Sequence, residues 1–160
     1  MVYLTWSLLN LFFILSFFFF AITLIVKGRK YLKSYSRPFV IFVLIFGSIG
    51  FLNSANKRGE VKAKINQRPS KMSVLPVKEG LSTDLSLTLI QDIETGEINQ
   101  EFSSSNLHGL VLGLKWNHLQ VIEKNGVLQV EGWYDWYLMG NRVFTNFETY
   151  SITEKNSVLR

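Results

Sequence analysis

Two histidines, His108 and His118, and no cysteine make up the entire supply of imidazole and thiol in this chain. Neither H-x-x-H nor H-E-x-x-H occurs, and a zinc site needs three or four nitrogen, sulfur or oxygen ligands. Any such site would have to be assembled from distant carboxylates. Three acids, Glu131, Asp135 and Glu148, lie in segments with strand character, and paired carboxylates held ~5–9 Å apart can cleave glycosidic bonds. With 11 acids between Glu79 and Arg160, chance neighbours are the ordinary expectation. No G-x-S-x-G, Walker or G-x-G-x-x-G pattern is present. The reading is of a non-enzymatic protein with no catalytic residue, no cofactor and no metal.

The most distinctive local chemistry is "GWYDWYL". On a strand, Trp133, Asp135 and Tyr137 face one side while Tyr134, Trp136 and Leu138 face the other. Aromatic area therefore falls on both faces, although a small core needs only one. Trp and Tyr combine large contact area with a polar handle and are enriched at binding hot spots, which makes Trp133, Tyr134, Trp136 and Tyr137 candidates for partner binding. The competing uses are core packing and seating at a lipid interface.

The elements that must position this strand begin with two apolar runs. From Tyr3 to Val26 there is no formal charge, and a helix over these residues would rise about 36 Å, enough to cross a ~30 Å hydrocarbon layer with tilt. A cleaved signal peptide is the alternative, but its cations would precede the apolar core rather than follow it. The second run extends from Phe39 to Leu52, after Pro38, a residue suited to a helix start; Asn53, Ser54 and Ala55 extend it to the lower limit of a span. The expected anchor is a transmembrane hairpin over residues 1–56, with spans at about 3–26 and 38–55 joined by a basic loop, 27–37.

Within the second span Gly47, Gly50 and Ser54 form a stripe of small residues, the kind that lets helix backbones approach closely in lipid. Asn10 is the strongly polar side chain expected at membrane depth in the first. These four are the candidate helix-packing residues, closing the hairpin on itself, docking it onto another membrane protein or supporting self-association.

Lys27, Arg29, Lys30, Lys33 and Arg37 determine the expected topology. Short loops rich in Lys and Arg resist translocation, whereas long tails cross with little regard to charge. The loop is thus expected in the cytoplasm, and the carboxy-terminal hundred residues outside it, at a bacterial inner or plasma membrane. A second basic stretch, from Lys57 to Lys71, leaves a cytoplasmic tail as the alternative, since it would be attracted to anionic lipid.

Charge divides the rest of the chain. Lys27–Lys78 carries 12 Lys and Arg against a single acid, while Glu79–Arg160 carries 5 against 11. Residues 57–78 read as a basic linker or stalk, with Pro69 and Pro76 interrupting any helix; residues 79–160 read as an acidic β-rich domain. No nucleic-acid-binding pattern accompanies the cations. "LSLTLIQDI" from Leu85 and "INQEF" up to Phe102 suggest a hairpin turning at Thr95-Gly96. Asn125-Gly126 between alternating apolar runs predicts a two-residue type I′ turn, and a further strand follows from Arg142. Leu107, Leu110, Val111 and Leu114 have helical spacing, so a short helix is expected after the serines at 103–105, with a strand after it.

The whole reads as an α+β membrane protein, a two-helix transmembrane hairpin followed by a small antiparallel sandwich or partly open barrel. Its expected role is to bind or scaffold envelope or membrane-complex components, in contact with lipid and a membrane-protein partner. The alternative is a small effector of the holin, immunity or superinfection-exclusion type, acting through its hairpin.

Overall fold

The computed structural model describes residues 2–28, 30–55 and 69–152, and the side chains of Lys33, Ser34, Ser54 and Ala55 are not among what it describes. The fold is α+β. Helix α1 (Val2–Lys27), a 3-10 turn (Tyr31–Ser34) and helix α2 (Arg37–Ala55) precede six strands: β1 (Ser70–Lys78), β2 (Thr83–Asp92), β3 (Ser104–Gly109), β4 (Leu114–Lys124), β5 (Val127–Leu138) and β6 (Asn141–Ile152). Helix α1 is long and apolar enough to cross a membrane, a test that a signal sequence also passes; the apolar part of α2, Arg37–Asn53, is shorter. Most of the side chains of α1 are exposed, among them Leu11, Phe12, Leu15, Phe18, Phe19 and Ile22.

The strands form two antiparallel three-stranded sheets, β1-β2-β3 and β4-β5-β6. Leu85, Leu87 and Leu89 alternate inward from β2 and meet Trp116, Val121, Val130 and Tyr134 from the second sheet in a shared core. The sheets also approach at both seams, β3 beside β4 and β1 beside β6, without ladder pairing. Side chains close these seams. Between β3 and β4, Trp116 Nε1 donates to Ser105 Oγ at 2.7 Å, and Ser105 Oγ lies 2.8 Å from His118 Nδ1. Between β1 and β6, Lys78 Nζ donates to the Tyr150 hydroxyl at 3.2 Å.

Local chemistry accounts for the hairpins. Asn125 and Gly126 both have positive φ (54° and 74°), as a type I′ turn requires, and Lys124 pairs with Val127 across them. Met139 and Gly140 do the same between β5 and β6, with φ of 49° and 85°. For methionine that conformation is uncommon, so its surroundings must hold it there.

Three expectations differ from the fold. Ser104–Gly109 is a strand rather than a short helix: Ser105 and the neighbouring residues pair with β2 from Thr83 to Thr88, and ladder bonds outweigh a helical spacing weakened by two glycines. "INQEF" forms no strand; Ile98 makes an isolated bridge to Gln91, and the chain then turns across β4, where the Gln100 carboxamide exchanges hydrogen bonds with the backbone of Val121. Residues 70–78, expected in the stalk, form β1, which tolerates Pro76 because it is a sheet-edge strand with a register shift between Pro76 and Lys78. The remainder of the stalk, 57–68, lies outside the described residues.

Candidate functional site

One end of the sandwich meets the helices. The β1–β2 loop, the β3–β4 loop and the β5–β6 turn all lie at this end, because β1, β3 and β5 run toward it and pair antiparallel with strands that start from it. Here the two apolar cores exchange side chains. Tyr3 of α1 packs into the sheet core, and Met139 of the β5–β6 turn packs into the helical core with Phe20, Val40 and Val43.

The polar residues of the first turns of α1 face this junction. Trp6 Nε1 donates to the carbonyls of Gly113 and Tyr137 at 3.1 and 3.2 Å. Ser7 Oγ donates to the Leu110 carbonyl at 3.1 Å, and Asn10 Oδ1 accepts from the Met139 amide at 2.8 Å. Loop and turn backbones have no ladder partner, and a buried group left unpaired costs about 1–3 kcal/mol. Ser7 and Asn10 supply partners for the Leu110 carbonyl and the Met139 amide, and Trp6 adds a second donor at the Gly113 carbonyl, which also accepts from the Tyr137 amide. From the other helix, Asn53 Nδ2 donates to Asn141 Oδ1, and Asn141 Nδ2 donates to the Phe46 carbonyl at 2.9 Å.

The small residues of α2 admit the turn. A Cβ added at Gly50 would run into the Met139 carbonyl, and one at Gly47 would lie 2.6 Å from Met139 Cε. At Gly113 (φ +79°) an added Cβ would collide with the Asn10 carboxamide. Asn10, Gly47 and Gly50 are thus brought together around Met139. Ser54 is on the same helix, but its side chain lies outside the described residues.

The aromatic strand divides sharply. Tyr134 is 1% exposed, tilted against Trp116 at 4.8 Å and Tyr3 at 5.2 Å. Trp136 stacks on Tyr3 at 5.6 Å and meets Trp6 edge-on at 5.4 Å. Both lie under the end of α1. The Tyr134 and Tyr150 hydroxyls are 3.5 Å apart, and burial pushes the first up to about 12 and the second higher still. Lys78 Nζ sits 5.0 Å from the ring centres of both Tyr3 and Tyr150, a cation–π contact that ties helix and seam together.

The opposite face of the same strand is more open. Trp133 packs against Phe147 of β6 at 5.8 Å, and Phe147 is 72% exposed. Next to them Asp135 is buried: Asn117 Nδ2 and Thr145 Oγ1 donate to it at 2.9 and 2.7 Å, and Arg142 approaches at 3.7 Å. Tyr137 is half-buried at the end of this face, its backbone held by Gly113 and Trp6.

The three carboxylates do not converge. Glu131 and Asp135 share a face but lie about 13 Å apart along the strand; Glu148, paired with Gly132, projects to the other face. Glu131 accepts from Gln120 and Glu148 from Asn146, each at 2.7 Å. Among the described residues no three of His, Asp and Glu could hold a metal ion. His108 bonds to Ser86 at the surface. At His118, Nδ1 lies 2.8 Å from Ser105 Oγ, which accepts from Trp116 Nε1, while the buried Nε2 has no partner among the described residues; burial lowers the pKa of the imidazole. A shallow open groove of about 450 Å³ at the far end, lined by Thr95, Glu97, Gln100 and Glu123 among others, has no such grouping.

The basic residues expected to set topology lie, where described, at the opposite end of the helices. Lys30 and Arg37 are exposed, Lys27 Nζ stands 4.7 Å from the Tyr31 ring centre, and Tyr35 packs edge-on against Phe20. Arg29 and the side chain of Lys33 lie outside the described residues.

Comparison with family models, curated proteins and solved structures found no match. The site therefore rests on its own geometry. Trp6, Ser7 and Met139 carry the junction and were not singled out from sequence. A signal did exist: Trp6, Ser7 and Asn10 lie on one side of a helix composed mainly of aliphatic and aromatic residues, at the spacing that aligns side chains on a single face.

Proposed function

We propose that the protein is a non-enzymatic membrane scaffold. A two-helix hairpin crosses the bilayer, and the β module is clamped to its extracytoplasmic end, presenting the Trp133–Phe147 face to a partner in the same membrane or envelope. One observation carries the reading: large apolar side chains are exposed along both helices, while the polar side chains of α1 at Trp6, Ser7 and Asn10 bond to the β module. Such a surface is stable when lipid rather than water covers it.

Orientation follows from the two ends. The cations gather at the loop end, the side that resists translocation, and the module is attached at the other. Removal of α1 as a signal peptide would take Tyr3 out of the sheet core and leave the Leu110 and Gly113 carbonyls and the Met139 amide without their helical partners, which favours a retained span. The same contacts argue against the effector reading, because a hairpin acting alone would leave Trp6, Ser7 and Asn10 unpaired in lipid.

Two measurements test the proposal. Alkaline extraction should leave the protein in the membrane pellet, and protease added to intact cells should digest the β module. A photo-crosslinker at Phe147 should yield a discrete adduct that disappears in Trp133→Ala. Release of the protein by alkali, or a module protected in intact cells, overturns the anchoring and its orientation; absence of any adduct overturns the scaffold role.

A further inference from the structure

The length of bare helix below the β module is too small for an ordinary bilayer. From Asn10, where the β5–β6 turn is bonded, to Lys27 α1 rises about 26 Å, and from Arg37 to Gly50 α2 rises about 20 Å. A hydrocarbon layer is ~30 Å thick, and any tilt shortens the available projection further. With the cations of the loop at one boundary, the other boundary falls above the turn, among the loops of the sandwich.

The side chains at that level match the requirement. Leu110, Val143 and Phe144 are 44%, 46% and 59% exposed. Leu110 is fixed beside the second turn of α1 by the bond from Ser7. Val143 and Phe144 follow Asn141, which is bonded to Phe46 and Asn53 of α2. Leu8, Leu9, Leu11 and Ile49 on the helices are exposed as well. Of the cations at this end, Arg142 reaches back to Asp135, as a long basic side chain near an apolar boundary does, and Lys78 lies over the Tyr3 ring. The far end carries Asp92, Glu94, Glu97 and Glu123, with Lys124.

Non-helical backbone is tolerated at membrane depth only where protein satisfies its polar groups. The loop meets that condition: the Met139 amide and the carbonyls of Leu110, Gly113 and Tyr137 are bonded by α1, and the Leu110 amide donates to Ser82 at 2.7 Å. We infer that the β5–β6 turn and the adjoining β3–β4 loop are sunk into the outer leaflet, with Leu110, Val143 and Phe144 against acyl chains, as a third membrane-embedded element beside the two helices. The consequence is a sheet whose height and tilt above the bilayer are fixed, which sets where the Trp133–Phe147 face stands. This inference rests on the membrane reading above.

The absence of native cysteine makes the test direct. The full-length protein is prepared as single-cysteine variants Phe144→Cys, Leu110→Cys, Ile22→Cys and Glu123→Cys, each labelled with an environment-sensitive fluorophore and reconstituted into phosphatidylcholine vesicles with or without brominated acyl chains. Labels at 144, 110 and 22 should lose most of their emission to the brominated chains, and the label at 123 should lose none. Quenching at 22 with labels at 144 and 110 behaving like that at 123 overturns this inference and leaves the anchor intact. No quenching at 22 overturns both.

Discussion

The two ends of the helical pair are built on opposite plans. At the loop end polar residues stand outward: Lys30 and Arg37 are exposed, and Lys27 rests on Tyr31. At the module end they turn inward, where Trp6, Ser7 and Asn10 hold the backbone of the β3–β4 loop and the β5–β6 turn, and Gly47 and Gly50 leave room for Met139. Polar groups in the same pair of helices thus serve solvation at one end and attachment at the other. The difference lies in what each group would lose: an exposed cation keeps its water when a neighbour changes, whereas a buried amide keeps only the partner the protein supplies.

The comparison breaks first at Gly50. Gly50→Val drives a side chain into the Met139 carbonyl, and we expect a loss of up to about 3 kcal/mol, read as a lower thermal midpoint in detergent and faster protease release of the module. Asn10→Ala removes the acceptor of a buried amide and should cost about 1–3 kcal/mol by the same melt. Lys30→Gln, at the other end, should change stability by less than about 0.5 kcal/mol. Replacing Lys27, Arg29, Lys30, Lys33 and Arg37 together should nonetheless randomise orientation, scored by protease access to the module from either side. A stability loss at Lys30 equal to that at Asn10 would erase the contrast.

Titration sharpens the picture from inside the sandwich. Burial lowers the pKa of His118 from 6.5, so the unfolded chain takes up the proton first. Its contribution is complete above pH 6.5 and is lost as pH falls through the depressed folded value. Tyr134 and Tyr150 are raised from 10.0; their contribution is complete below pH 10 and is lost as pH rises through the folded values. The melting temperature should therefore fall on both sides, and Tyr150→Phe should flatten the alkaline limb while leaving the acid limb in place.

Strand β5 marks how far the residues themselves could be read. Alternation assigned Tyr134 and Trp136 to one face and Trp133, Asp135 and Tyr137 to the other, and the fold keeps that division. Which face would be covered was beyond it, because the cover is Tyr3 and Trp6, more than a hundred positions away in sequence. The segment after the serines at 103–105 misled in the other direction: Leu107, Leu110, Val111 and Leu114 have helical spacing, and only the presence of β2 alongside made Ser104–Gly109 a strand.

Composition and short-range pattern alone determined two apolar segments parted by cations, an acidic β-rich tail and the turn at Asn125-Gly126, since charge, hydropathy and positive-φ preference act over a few neighbouring residues. Tertiary structure alone decided that Asn10, Gly47 and Gly50 receive Met139, that Ser70–Lys78 joins a sheet, and that one aromatic face is capped by a helix. Those outcomes depend on groups brought together from as far apart as Asn10 and Met139, where a hydrogen bond or a close approach forms only once the intervening chain has folded.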